Sequence, residues 1–349
     1  MSGNNRVRTT FQRYAALIFL SFLMLCGMPL ETAAQETVDP RSGLLSLVET
    51  DMEIPAGPVM LAARRRLQPV NEQTGMLGKG WFFNWENLLL KTEFSAVVFN
   101  SDRLILFELT PGIDESTSPS GDRLLLDKNG GARVQWADGG AALYDPQGRL
   151  SETQDANGNK TVCRYGQNGR LEKIEGPEQT YLAIHTDSQG NISRIQSSTG
   201  LSVYYGYKDG NLVEVRANQG QPTRYRYDEN GALTLIERPR SGSVRIAYDA
   251  LGRVKSRQWQ ERDVEYYEYN DSERTIRHID VMGGTTTIRR SEDGLREETT
   301  DPLGHKSVTV FNANGLPESV TGPTGEATSC VYDAHERLTE LKGCCGDRT

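Results

Sequence analysis

Between Tyr144 and Leu338 a unit of the form Tyr-Asp-x-x-Gly-Arg-Leu returns at almost constant spacing. Clear copies are Tyr144-Asp145-Pro-Gln-Gly148-Arg149-Leu150, Tyr248-Asp249-Ala-Leu-Gly252-Arg253-Val254 and Tyr332-Asp333-Ala-His-Glu336-Arg337-Leu338. Weaker copies start at Tyr165, Thr186, Tyr207, Tyr227, Tyr269, Arg290 and Phe311. Of the nine intervals between these ten starts, eight are 21 residues and one, Tyr207 to Tyr227, is 20. A fixed period of this size marks a repeat architecture, in which each unit buries its apolar surface against its neighbours.

One copy shows the local structure. In Thr223-Arg-Tyr225-Arg-Tyr227-Asp228-Glu-Asn230-Gly231-Ala-Leu233-Thr-Leu235, Tyr225 and Tyr227 alternate with charges, the period of a half-buried strand, and Leu233 and Leu235 resume the alternation after Gly231. Asn230-Gly231 reads as a tight hairpin turn with positive backbone angles. This first turn keeps Gly at 148, 169, 190, 210, 231, 252, 294 and 315, and a second turn often has Gly at 158, 200, 220, 242, 304 and 325. Such links are too short for a helical crossover, so successive strands are antiparallel neighbours. The predicted fold is all-β, a long antiparallel ribbon of short hairpins. Because adjacent strands rotate by about 20 to 25°, the ribbon curls into a spiral or partial shell, one sheet thick over much of its length.

The chain divides into three parts. Residues 1–34 read as a secretory signal peptide: Arg6, Arg8 and Arg13 precede the apolar run Ala15–Leu30, and Thr32-Ala33-Ala34 places cleavage after Ala34. The product is expected to be secreted or to stay in the cell envelope. Residues 35–125 lack the period and form a separate β module, with short strands over Leu44–Glu49, Val59–Ala63, Ala96–Phe99 and Leu104–Leu109. The polar tract Glu115–Gly121 reads as an exposed loop. Residues 126–349 are the array, its last repeat incomplete at Thr349. The net charge is −8 overall and +2 over residues 1–34, hence −10 for the rest, which argues against nucleic acid as a partner.

The repeated Tyr-Asp-x-x-Gly-Arg-Leu units, with Asp155-Ala-Asn-Gly158 and Asp301-Pro-Leu-Gly304 as second turns, resemble the RHS/YD-repeat family. Glu49-Thr-Asp51-Met-Glu-Ile54-Pro55-Ala-Gly57-Pro58 followed by Gly75-x-Leu77-Gly78-x-Gly80-Trp81 is similar to the module that opens many bacterial members. Members usually carry an aromatic near Arg64-Arg65-Arg66-Leu67, and here there is none. The resemblance implies a spiral β shell: in polymorphic toxins it encloses a variable C-terminal toxin, in insecticidal complexes it forms a cocoon, and in animal relatives it belongs to adhesion proteins. Those proteins carry many more repeats, so the chain is expected to be a truncated or partial member. Toxin members also end the shell with a self-cleaving Asp-Pro-x-Gly-x-x-x-Gly motif; Asp301-Pro302-Leu303-Gly304 matches its first half, but Val308 replaces the second Gly, and no protease is carried over.

Chemistry is sparsely signalled. His185, His278, His305 and His335 form no zinc-protease pattern, and neither a Gly-x-Ser-x-Gly elbow nor a phosphate-binding Gly-Lys-Ser/Thr loop occurs. No enzyme activity, catalytic residue, metal or cofactor is therefore assigned. The Asp of each turn is expected to hydrogen-bond its own turn backbone rather than to ligate calcium. The residues singled out are the repeat positions Tyr144, Asp145, Gly148, Tyr227, Asp228, Gly231, Tyr248, Asp249, Gly252, Tyr332 and Asp333. Trp81, Trp85 and Trp259 could stack on a sugar, although for Trp81, Phe82 and Trp85 the preferred reading is that they seal the end of a β core. Cys344 and Cys345 could pair with a distant cysteine such as Cys330, pair with repeats further on, or bind metal.

Two functions stay open at this point. One is a secreted, non-enzymatic shell wall that encloses or helps deliver a cargo domain or partners a second repeat chain; the other is an envelope adhesin whose Trp259, Tyr266, Tyr267 and Tyr269 recognise cell-surface glycans. The last strand is expected to offer an open edge for self-association.

Overall fold

In the computed structural model, residues 35–68, 74–99, 104–260, 262–333 and 338–343 are described. The expected signal peptide, His335 and the Cys344-Cys345 pair lie outside these residues. Among the described residues there is no helix.

The non-repetitive part builds small sheets. Strands β1 (Gln35–Val38), β2 (Leu45–Ala56), β3 (Val59–Leu67) and β6 (Trp81–Phe83) form one sheet, with a short ladder between β4 (Thr74–Gly75) and β5 (Gly78–Lys79) beside it. A second sheet joins β7 (Leu88–Lys91), β8 (Ser95–Phe99) and β9 (Leu104–Glu108). Strand β2 runs further than its apolar alternation suggested, because a bulge between Thr50 and Met52 carries the pairing with β3 past Asp51 to Ala56.

Twenty-three strands, from β10 (Glu115–Thr117) to β32 (Leu338–Gly343), then form one sheet in strict chain order, each antiparallel to the next. This is the open hairpin ribbon that the period predicts. Its first strand corrects part of the reading of Glu115–Gly121 as an exposed loop: Glu115–Thr117 pairs with Arg123–Leu125, leaving a turn over 118–121 in which Ser118 is buried, its Oγ accepting from the Asp122 N–H at 3.1 Å and meeting Ser120 Oγ at 2.9 Å.

The hairpin turn also differs from the expected two-residue form. At Asp228–Gly231 the Gly231 N–H donates to the Asp228 carbonyl (3.1 Å) and only Gly231 has a positive φ, 81°. That is a type I turn followed by a left-handed glycine, and the glycine forces a register slip between Arg226 and Tyr227. The same slip falls at Tyr144, Tyr165, Thr186, Tyr207, Tyr248, Phe311 and Tyr332. Asp228 holds the turn: its Oδ1 accepts from the N–H groups of Asn230 and Ala232, both at 2.9 Å. Asp145, Asp155, Asp187, Asp249, Asp280 and Asp301 repeat this clasp.

The module touches the ribbon at widely separated repeats. The Leu89 N–H donates to the Gly148 carbonyl, Ile192 N–H to Met76, Lys79 N–H to Gly210 and Val254 N–H to Gly43, while the Arg41 guanidinium lies 4.6 Å from the Phe311 ring centre. Laid flat, the sixteen strand spacings between Ala141–Tyr144 and Lys306–Phe311 would run about 75 Å at roughly 4.8 Å each. A globule of some seventy-five residues is only about 30 Å across. The ribbon therefore bends round the module, and the core lies between them, from Leu45 and Trp81 to Ile174, Leu182, Ile236 and Val244. Past Ile246 the facing positions turn polar along the register Arg257, Glu265, then Tyr267, His278, Thr286, and beyond Thr286 the only described residues that are buried are Phe311 and Cys330.

Candidate functional site

Six of the repeat tyrosines tie two repeats together. Tyr165, Tyr207, Tyr227, Tyr248, Tyr269 and Tyr332 donate their hydroxyls to the carbonyls of Leu150, Ile192, Leu212, Leu233, Val254 and Pro317, at 2.6 to 2.8 Å. The acceptor is always fifteen residues back, at the start of the preceding repeat's return strand. The motif arginine completes the joint: Arg149 Nε donates to Asp145 Oδ2 (2.8 Å) and its guanidinium stacks 4.4 Å from the Tyr165 ring centre, as Arg253 does with Asp249 and Tyr269. Burial lifts these phenols, Tyr269 and Tyr332 to about 12, so they remain donors at any physiological pH. Gly148 has a second constraint, since a Cβ there would stand 2.0 Å from the Leu89 carbonyl oxygen of the module. Tyr144 is buried, and Asp333 directly follows the strand Ala327–Tyr332.

Where β2 and β3 meet the ribbon, charges occupy the core. Arg65 Nε donates to both oxygens of Asp51 (2.9 and 3.0 Å), Nη2 to Glu49 Oε2, and Nη1 to the Tyr225 hydroxyl at 2.5 Å. The Tyr225 hydroxyl in turn donates to Glu49 Oε2 (2.6 Å), and Tyr205 donates to Asp51 Oδ2 (2.9 Å). Arg238 bridges Glu49 (2.7 Å) and Glu36 (2.5 Å) from the ribbon. Burial raises Glu49, but Arg65 and Arg238 outweigh it and leave its carboxyl below the usual range; Asp51, where burial dominates over Arg65, is raised. The Arg65 guanidinium also lies 5.1 and 5.2 Å from the ring centres of Trp81 and Tyr225. These rings supply the aromatic surface that the sequence near Arg64–Leu67 lacks.

A second cluster lies further along the ribbon. Glu265 accepts from Arg257, from Tyr267 (2.6 Å) and meets His278 Nε2 at 3.0 Å, and His278 stacks on Tyr267 at 4.7 Å. Between the two clusters an open cleft of about 560 Å³ is bounded by Glu49, Asp51, Arg238, Arg240, Arg257 and Trp259.

The three tryptophans part company. Trp81 is fully buried, its Nε1 donating to the Tyr227 hydroxyl at 2.9 Å, and it has no face left for a sugar. Trp85 is half-buried and donates to the Ala62 carbonyl (2.9 Å). Trp259 is half-buried and lines the cleft. Of the tyrosines named with it, Tyr266 is exposed, whereas Tyr267 is buried and the Tyr269 hydroxyl is held by Val254, because alternate residues of one strand face opposite ways. Cys330 carries a free, buried thiol. No group of three or more His, Cys, Asp or Glu that could hold a metal occurs among the described residues. The sequence reading missed the Arg65 network, yet a signal existed: Glu49 and Asp51 continue the parity of Leu45 and Leu47, and Arg65 that of Leu61, Ala63 and Leu67.

Residues 35–106 match the family model described as a domain of unknown function (DUF6531), and residues 206–244 match the RHS Repeat model. No curated protein matches. Among solved structures, the crystal structure of TcdB2-TccC3-Cdc42 is similar at 13% identity over 85% of this chain and 18% of that chain, with a TM-score of 0.41. The crystal structure of TcdB2-TccC3 gives 12%, 93%, 23% and 0.39, and the Photorhabdus luminescens Tc holotoxin pore gives 12%, 86%, 21% and 0.36. The chain thus spans about a fifth of the length of these structures. It carries an RHS repeat at residues 206–244 behind a DUF6531 module at residues 35–106, the pairing that the repeat spacing and the N-terminal motif resemble.

Proposed function

We propose that this chain is an exported wall segment of a β shell that encloses or helps deliver a cargo, without catalysis of its own. The observation that carries the reading is the single unbroken ribbon of twenty-three strands bent round its own N-terminal module, with polar positions facing inward beyond Ile246. Such a wall excludes solvent on one side and needs no chemistry to do so. The tyrosine and arginine side chains that define the repeat hold the wall together, which supports a structural rather than a catalytic role. The β32 strand pairs only with Ala327–Tyr332 among the described residues, so its other edge suits a further strand from this or another chain.

Co-expression with the polypeptide encoded beside it, followed by limited proteolysis, tests the proposal. A neighbour that co-purifies and resists cleavage supports enclosure; a neighbour cut as fast in the complex as alone refutes it. The glycan-binding reading keeps one specific observation, Trp259 in a cleft among Arg238, Arg240 and Arg257. Specific binding on a glycan array that Trp259→Ala abolishes would favour it over the shell.

A further inference from the structure

The three-stranded sheet β7–β8–β9 is apolar on both faces up to its last outer row, where Ser95 pairs with Glu108. Leu89, Ala96, Val98, Ile105 and Phe107 are buried against the core. The opposite face carries two cross-strand rows set by the register, Leu90–Val97–Leu106 and Leu88–Phe99–Leu104. On it Leu90 is 57% exposed, Leu104 62% and Leu106 50%, and no charge interrupts either row. Phe94 (62%) and Ile113 (53%) follow at the Glu108 end. Solvated positions of the ribbon look different, carrying ion pairs such as Arg164 with Glu175 and Arg277 with Glu268. Antiparallel sheets that face water alternate apolar with polar residues, and this one does not.

We infer that this face is an interface between two copies of the chain. Five side chains at least half exposed, at roughly 200 Å² apiece, present about 500 Å². That is already near the largest patch of an ordinary monomer, about 300 to 600 Å². Adding Leu88, Val97, Phe99 and a polar rim brings it toward the roughly 800 Å² per partner of a standard interface. A flat, uncharged pair of rows is complementary to another of the same kind. A two-fold axis along β8 lays each row over its own copy, Leu90 over the other copy's Leu106 and Leu88 over its Leu104, in aligned sheet packing about 10 Å deep. The inference is independent of the shell proposal, since it concerns only the module.

Sedimentation equilibrium of the full chain tests it, with Leu106→Glu and Leu90→Lys as variants. Both positions are half exposed, so each variant should melt within about 2 °C of the parent, showing that it folds. The expected result is a dimer whose dissociation constant rises at least about 100-fold in either variant, since the two-fold axis counts each substitution twice. Association through the β32 edge would leave both variants as tight as the parent, and that outcome overturns the inference. So does a monomer at about 100 μM, whether or not it floats with phosphatidylcholine vesicles; flotation lost in Leu106→Glu would reassign the face to lipid.

Discussion

Arg65→Met isolates the charge network that joins module to ribbon. Arg65 is 3% exposed and is the only cation in hydrogen-bond contact with Asp51 among the described residues; it shares Glu49 with Arg238. Methionine fills much of the arginine stem, so the loss comes from two carboxyls left buried beside one another rather than from a cavity. Removing one partner of a buried pair costs about 3 to 5 kcal/mol. At about 2 °C per kcal/mol for a chain of this size, thermal unfolding followed by circular dichroism should fall by about 6 to 10 °C. The triple variant Glu49→Gln, Asp51→Asn, Arg65→Met removes the stranded charges, leaves Arg238 paired with Glu36, and should recover at least half of the loss. A drop in Arg65→Met below about 1 kcal/mol, or a triple variant no better than the single, would refute the account.

Three further outcomes are expected. Glu86, which accepts the Met76 N–H at 2.5 Å and the Phe83 N–H, is pushed by burial from 4.5 up to about 7. The folded chain then holds a proton that the unfolded chain has lost, so stability falls as pH rises from about 4.5 to about 7 and levels off above, a span on the order of 3 kcal/mol; urea titrations should show this slope flattened in Glu86→Gln. Tyr227→Phe leaves both the Leu212 carbonyl and Trp81 Nε1 without their partner, whereas Tyr248→Phe removes only the bond to the Leu233 carbonyl. The first should cost about 2 kcal/mol and the second about 1, and equal losses would contradict the shared hydroxyl. Because Asp228 Oδ1 is taken by two backbone N–H groups, Asp228→Ala should lower stability by about 1 kcal/mol, while a chelator should leave the melting midpoint of the parent unchanged.

Local order was legible in the chain itself. The 21-residue spacing, the glycines and the Tyr/charge alternation act between residues a few positions apart, so they determine strands, turns and an antiparallel order without reference to the rest of the molecule. The slip at Tyr144, Tyr227 and Tyr248 likewise follows from the spacing of aspartate and glycine, although Asn230-Gly231 alone suggested a tighter turn. The fifteen-residue tyrosine clasp has the same local origin, since neighbouring repeats are always adjacent. What only the tertiary structure decided was where the non-repetitive module sits. Glu49 and Arg65 could be seen to share the parity of the apolar positions, but their partners Tyr225 and Arg238 lie more than 150 residues away, brought there by the accumulated bend of the ribbon. The same bend sealed Trp81 beneath Tyr227 and left Trp259 at the rim of a cleft, a difference between two tryptophans that no local pattern contains.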